Sequence, residues 1–198
     1  LDIVTLDATA PWGGGHMLPR GRLREPREGL ARADCVVITR ADQASDLEGL
    51  RAEAARLSGA VVVASRVRTR GLQLLGGADE KPDGANAELE SGALRQPAAA
   101  FCAIGNPRAF FEQLPREGFE LRYTRAFPDH HDFKDSDLAA VAREAEKSGA
   151  RRLLTTAKDA VKLRGRSIPL PCYVVEIGLE FEDESVLLGL IKGAIGSK

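Results

Sequence analysis

Short unbroken apolar runs alternate along the chain with segments whose apolar positions recur at helical spacing. LDIVTL (1–6) reads as a strand ending at Asp7. CVVIT (35–39) does not alternate in polarity, which predicts a strand buried on both faces. In the next segment Leu47, Leu50, Ala54 and Leu57 share one helical face. Ser45 and Glu48 stand at capping-box spacing before them and Gly59 stops the pattern, so a helix is expected. AVVVA (60–64) is a second buried strand. Strand, helix and strand in that order predict an α/β layer with a parallel sheet.

The pattern then lapses. Residues 76–97 are polar and small, too poor in apolar side chains to bury much, and read as an exposed linker or hairpin tip. A second α/β alternation follows. AAAFCAI (98–104) reads as a strand. Asn106 and Pro107 suit the cap and first turn of a helix that packs through Phe110, Phe111 and Leu114. Phe119, Leu121 and Tyr123 alternate as in a strand. Asp135 or Ser136 is expected to cap a helix carrying Leu138, Val141, Ala142 and Ala145. LLTT (153–156), a short helical KDAVKL, CYVVEI (172–177) and a terminal helix over 185–195 complete the chain. The implied organisation is one α/β region over 1–70, a linker over 71–97 and a second α/β domain over 98–198.

Composition narrows the class. Among 198 residues, 43% are hydrophobic and 29% charged, which suits a globular fold. With 28 basic and 29 acidic residues the net charge is -1, against the basic excess of a nucleic-acid binder, so no nucleic-acid partner is expected. Cys35, Cys102 and Cys172 each sit in an apolar stretch, too far apart for a local zinc motif. They are expected as buried free thiols of a reducing compartment. Opening on a core strand without a lead-in, the chain reads as part of a longer protein.

In α/β sheets ligands gather beyond the carboxyl ends of the strands, so the loops there are the candidates for chemistry. PWGGGHMLPRGRLREP (11–26) offers glycines for close backbone approach and Arg20, Arg22 and Arg24 for phosphate oxygens. Glu25 could hold a metal or orient an arginine, and a structural loop with solvated arginines is the alternative. AIGNP (103–107) opens a helix whose N–H groups could take an anion, although a capped helix start needs no ligand. FPDHHDF (127–133) brings Asp129, His130, His131 and Asp132 together, as general bases and metal ligands are built. Ordinary surface histidines are the plainer reading. LLTTAKDAVKL (153–163) places Thr155, Thr156, Lys158 and Asp159 between a strand and a helix, where they could meet a nucleotide or simply cap the helix.

Taken together, LPRGRLREP (18–26), IGNPRAFFEQL (104–114), FPDHHDF and TTAKDAVKL (155–163) resemble, in order and spacing, the tetraacyldisaccharide 4'-kinase family. Its members read close to L-P-A-G-P-L-R-E-P and T-T-E-K-D-A-V-K-L in the first and last of these. The resemblance covers residues 1–177. Arg20, Arg22 and Ala157 depart from it, standing where the family has Ala, Pro and Glu.

The resemblance implies two α/β/α domains joined by a linker. The first would be the remainder of a P-loop-like domain whose phosphate loop and paired aspartates are not in this sequence, and the second a smaller C-terminal domain. It implies transfer of the γ-phosphoryl group of ATP, with Mg2+, to the 4'-hydroxyl of a tetraacyldisaccharide 1-phosphate in lipid A biosynthesis. The enzyme would be cytoplasmic, working peripherally on a membrane glycolipid at the inner-membrane surface. His130 with Asp129 resembles the family's acceptor-activating histidine. Arg24 and Glu25 resemble its pair on the phosphate and metal side, with Glu25 toward the metal, and Lys158 and Asp159 fall on the nucleotide side. Lacking a phosphate loop, this polypeptide is expected to be inactive alone. Two other classes compete. One is a non-catalytic remnant or binding domain. The other is a metal-dependent phosphoesterase, suggested by Asp129-His130-His131 and by Gly13 to His16.

Overall fold

A computed structural model describes residues 1–75 and 96–196. Most of the expected linker, 76–95, lies outside the described residues. The chain forms two units, Leu1–Val67 with Leu179–Lys198, and Arg68–Gly178. It passes between them inside two strands, β3 (Val61–Leu74) and β7 (Cys172–Phe181).

In the first unit, β1 (Ile3–Asp7), β2 (Cys35–Thr39) and the start of β3 run parallel, with Ile3 opposite Cys35 and Cys35 opposite Val61. As expected of a continuous apolar run, β2 is buried on both sides. Val36 and Ile38 face α1 (Leu47–Ser58) and Trp12, while Cys35 and Val37 meet Val186, Leu187 and Leu190 of α5 (Glu184–Gly196). The cap of α1 is Asp46 rather than Ser45. Its carboxylate accepts the Gly49 N–H at 2.9 Å, a bond worth about 1 kcal/mol that leaves no reciprocal role for Glu48. Gly59, at φ +67°, ends the helix as its position predicts.

In the second unit, β4 (Ala98–Cys102), β5 (Leu121–Ala126), β6 (Arg152–Thr156) and β7 form a parallel sheet in the order β5-β4-β6-β7, with the distal half of β3 beside β7. Every residue of β4 is fully buried. Its alanines admit helices closely on both faces. Ala98, Ala100 and Cys102 lie against Phe110 and Leu114 of α2 (Pro107–Arg116), and Ala99 and Phe101 against Leu138, Val141 and Ala145 of α3 (Asp135–Lys147). Asn106 caps α2 by accepting the Ala109 N–H at 3.2 Å. The cap position of α3 is Lys134, not Asp135 or Ser136. Asp137, three residues in, takes the Lys134 N–H at 2.9 Å and so satisfies the helix entry from the inside.

Two strands run further than their apolar runs suggest. β3 continues to Leu74 through alternating arginines, with Val67 and Leu72 buried along it. β7 continues to Phe181, whose ring packs against the first unit's core. All three cysteines are free and buried. Burial pushes the thiols of Cys102 and Cys172 up to about 12, with the Asp159 carboxylate adding to the effect at Cys102.

Candidate functional site

The strand order of the second unit locates its crevice. The chain moves from β4 to β5 on one side, then crosses to β6 on the other, so the order reverses between β4 and β6. Loops leaving the carboxyl ends of strands at such a switch point diverge and leave room for a ligand. The loops after β4, β5 and β6 carry the Gly-Asn-Pro, Asp-His-His and Thr-Ala-Lys-Asp strings, and the fold brings them together.

Their contacts are specific. Lys158 Nζ donates to Asp129 Oδ1 at 3.0 Å across the two loops. The Lys158 ammonium, through this bond, holds the Asp129 carboxyl below the usual carboxylate range, and His130 adds to the effect. The His130 N–H donates to the carbonyl of Ala103 at the end of β4 (3.3 Å) and to its neighbour Asp129 Oδ1 (3.1 Å). His130 sits at φ +62°, a left-handed conformation that costs a non-glycine residue about 1 kcal/mol. Its side chain is 74% exposed, with Nε2 3.6 Å from Asp129 Oδ2.

The neighbouring histidine is used differently. His131 is stacked on Phe127 at a centroid distance of 4.8 Å, meets the edge of Phe133, and shares a 2.9 Å hydrogen bond with Asp137. Its carbonyl accepts Lys162 Nζ at 3.1 Å. His131 therefore anchors the loop and His130 is presented by it. The two rings do not converge with Asp129 as a metal-dependent phosphoesterase would need.

Asp159 is fully buried beneath these loops. Its Oδ2 accepts the Ala103 N–H at 3.0 Å and the Thr156 hydroxyl at 2.7 Å. Thr156 in turn caps α4 (Ala157–Leu163) by accepting the Asp159 N–H at 3.2 Å. The sequence placed Asp159 with Lys158 on a nucleotide side. In the structure only Lys158 is exposed there.

The glycine-rich loop belongs to the first unit. Gly13, Gly14 and Gly15 all have positive φ, and the Gly13 and Gly15 N–H groups donate to Ala10 O (3.2 Å) and Trp12 O (2.7 Å) inside the loop. Two of its amides are thus engaged in the turn and do not point at a phosphate. Gly21 is required by packing, since a Cβ there would lie 2.1 Å from the His16 carbonyl oxygen. Arg24 is exposed and has no hydrogen bond or ion pair among the described residues.

Glu25 is held by Arg32 through both oxygens, the Oε1 contact being 2.8 Å, and Arg32 also reaches Asp2 at 2.9 Å. The Arg32 hydrogen bond lowers the Glu25 pKa. Among the described residues no group of three or more His, Cys, Asp or Glu side chains is placed to hold a metal. A magnesium ion would meet one carboxylate already occupied by an arginine. These residues do not fit a complete metal site, and no step is derived through one.

The family model described as tetraacyldisaccharide-1-P 4'-kinase matches residues 1–195. The chain belongs to this family. It is similar to the tetraacyldisaccharide 4'-kinases of Anaeromyxobacter dehalogenans strain 2CP-1, at 42% identity over 167 residues, and of Desulfatibacillum aliphaticivorans, at 32% over 198 residues. These alignments cover 82% and 98% of this chain but 42% and 52% of the relatives, so the chain spans about half the length of the curated relatives it matches. A crystal structure of LpxK from Aquifex aeolicus in complex with ATP shares the fold, at a TM-score of 0.62 and 23% identity over 97% of this chain and 51% of that one. Family membership accounts for the order of the four strings. It does not by itself assign roles to their residues, and the contacts above bear on that.

Sequence reasoning passed over several partners in this site. Lys162 and Ala103 lie within the TTAKDAVKL and AIGNP strings but drew no role there, and Asp137, which bonds His131, lies outside every string. The one available signal was the spacing of Lys158 and Lys162, which puts both on the same face of a short helix.

Proposed function

We propose that the chain is the C-terminal part of a tetraacyldisaccharide 4'-kinase. The reaction is transfer of the γ-phosphoryl group of ATP to the 4'-hydroxyl of a tetraacylated glucosamine disaccharide 1-phosphate. The setting is the cytoplasmic face of the inner membrane, and the protein is peripheral. Magnesium and the phosphate loop come from the part of the kinase that these residues do not include. That reading is supported by the half-length coverage of the relatives and by the lack of any G-x-x-x-x-G-K-[ST] string in the sequence.

The observation that carries the reading is the contrast between the two histidines. His130 is exposed, strained and pinned by its backbone, while His131 is stacked and bonded into the loop. A group that accepts a proton from a bound hydroxyl must be exposed yet fixed, and His130 meets both conditions. Asp129 is placed to orient the ring. Lys158 keeps Asp129 in place. Arg24, exposed and unpaired among the described residues, is available to a phosphate group.

The test uses the full-length kinase. His130→Ala should lower kcat/KM by about 10²-fold, the scale of general acid–base assistance. His131→Ala should lower thermal stability more than it lowers kcat/KM. A loss below about threefold for His130→Ala would remove the catalytic assignment. The 198-residue chain alone, given ATP, magnesium and the disaccharide, should yield no product above background. Product from it would show that it carries its own nucleotide site.

A further inference from the structure

We propose that Asp159 is a positioning residue that sets the location of His130 through the backbone of Ala103. The inference rests on the reading of His130 given above. Asp159 is the third residue of α4, where a carboxylate ordinarily turns back to the N–H of its own helix cap. Here it reaches across to the end of β4 and accepts the Ala103 N–H at 3.0 Å. The carbonyl of the same Ala103 accepts the His130 N–H at 3.3 Å. One peptide-linked residue thus connects the buried carboxylate to the strained histidine.

The arrangement is costly unless it has a use. Asp159 is fully buried, and its Oδ1 has no hydrogen-bond partner among the described residues. A buried carboxylate with an unsatisfied oxygen is unfavourable, and a smaller or apolar residue would avoid the penalty. What the carboxylate contributes is direction. It fixes the loop after β4 against α4, on the side of the switch point where β4 and β6 part. α4 reinforces this from neighbouring positions: Lys158 holds Asp129 at 3.0 Å, and Lys162 holds the His131 carbonyl at 3.1 Å. The first turns of α4 therefore grip the histidine loop at Asp129 and His131, and through Ala103 at His130. Asp159 supplies the contact that does not depend on solvent-exposed charge.

Two measurements test this. In the 198-residue chain, nuclear magnetic resonance follows the amide groups of Ala103 and His130. Asp159→Ala should shift both resonances and speed their hydrogen exchange about tenfold or more, as expected when a protecting contact is lost. Asp159→Asn, whose side-chain oxygen can still accept the Ala103 N–H, should leave them near wild type. Leu114→Ala, a core change in the same unit, should lower the melting temperature without moving His130. An unmoved His130 amide in Asp159→Ala, or an equal shift in Leu114→Ala, would overturn the proposal.

In the full-length kinase, Asp159→Ala should lower kcat by roughly 10- to 100-fold, the scale of a misplaced catalytic group, with the KM for ATP within about twofold. Asp159→Asn should recover kcat to within about threefold. A raised KM for ATP at unchanged kcat would instead make Asp159 part of nucleotide binding and sink the inference. If Asp159→Ala does not fold, Thr156→Val, which removes only the hydroxyl bonded to the same carboxylate, should shift His130 in the same direction by less. No shift there would also count against it. A His130→Ala kinase with unchanged kcat would remove the catalytic reading itself, whereas a loss in His130→Ala without one in Asp159→Ala removes only the present inference.

Discussion

Phe133 offers the sharpest test of how the histidine loop is tied to the core. It is fully buried and meets Phe101 of β4 edge-on at 5.6 Å, Phe127 at 5.2 Å and the His131 ring at 5.4 Å. Replacing a buried Phe by Ala leaves a cavity and costs about 3–5 kcal/mol. Phe133→Leu retains most of the buried volume and loses mainly the edge-to-face contacts, at about 1–2 kcal/mol. With a urea dependence near 2 kcal/mol per molar, the alanine variant should move the second unit's unfolding midpoint by about 2 M. The probe matters, because the protein has a single tryptophan, Trp12, which lies in the first unit. Trp12 fluorescence reports that unit, so the second is best followed by hydrogen exchange of the β4 amides. A cost below about 1 kcal/mol for Phe133→Ala, or equal costs for Ala and Leu, would refute the packing argument.

Two further outcomes are expected. The Lys134 N–H and, secondarily, His131 hold the Asp137 pKa below its ordinary value. A carboxylate lowered in this way adds stability above its unfolded pKa of about 3.9 and loses it as pH falls through the folded value. Wild type should therefore lose melting temperature faster than Asp137→Asn between about pH 5 and 2, and parallel curves would count against the cap at α3. Cys35, Cys102 and Cys172, raised by burial, with Cys102 and Cys172 at about 12, should resist thiol reagents in the native chain at pH 8 and react fully once unfolded. Rapid native labelling would contradict the burial of β2, β4 and β7.

The fold was legible where burial alone decides structure. CVVIT and AAAFC read as strands because nothing but a two-faced core tolerates such runs; AAAFC is buried throughout and CVVIT as far as Ile38. The helix stop at Gly59 was legible because its left-handed backbone suits glycine. Helix starts were less so. Ser45, Asp46 and Ser136 can all cap, and Asp137 can satisfy an entry from within, so the choice depends on how the preceding strand delivers the chain. β3 was read too short because its polar residues are arginines. Val67 is buried among them and Leu72 beyond them, and neither forms an apolar run.

The site was legible as strings and not as contacts. Asp129, His130 and Lys158 stand out by residue type, and the structure gathers all three at the β4/β6 switch point. What no string could show is that adjacent residues are assigned opposite duties. His130 and His131 differ in conformation rather than chemistry: the turn at φ +62° sends one ring outward and lets the other stack on Phe127. Lys158 and Asp159 differ in the same way, one exposed against Asp129 and the other buried against Ala103. Pairing of this kind is a consequence of helical and turn geometry, in which neighbours in sequence point in different directions. A motif read residue by residue assigns both members to the ligand, while the fold gives one member of each pair to the solvent side and the other to the frame that holds it. The discriminating experiment is accordingly not the loss of either residue but the conservative exchange. Asp159→Asn should be tolerated because the frame needs an acceptor. An uncharged Lys158→Gln should impair activity, because the Lys158 ammonium holds the Asp129 carboxylate in place beside His130.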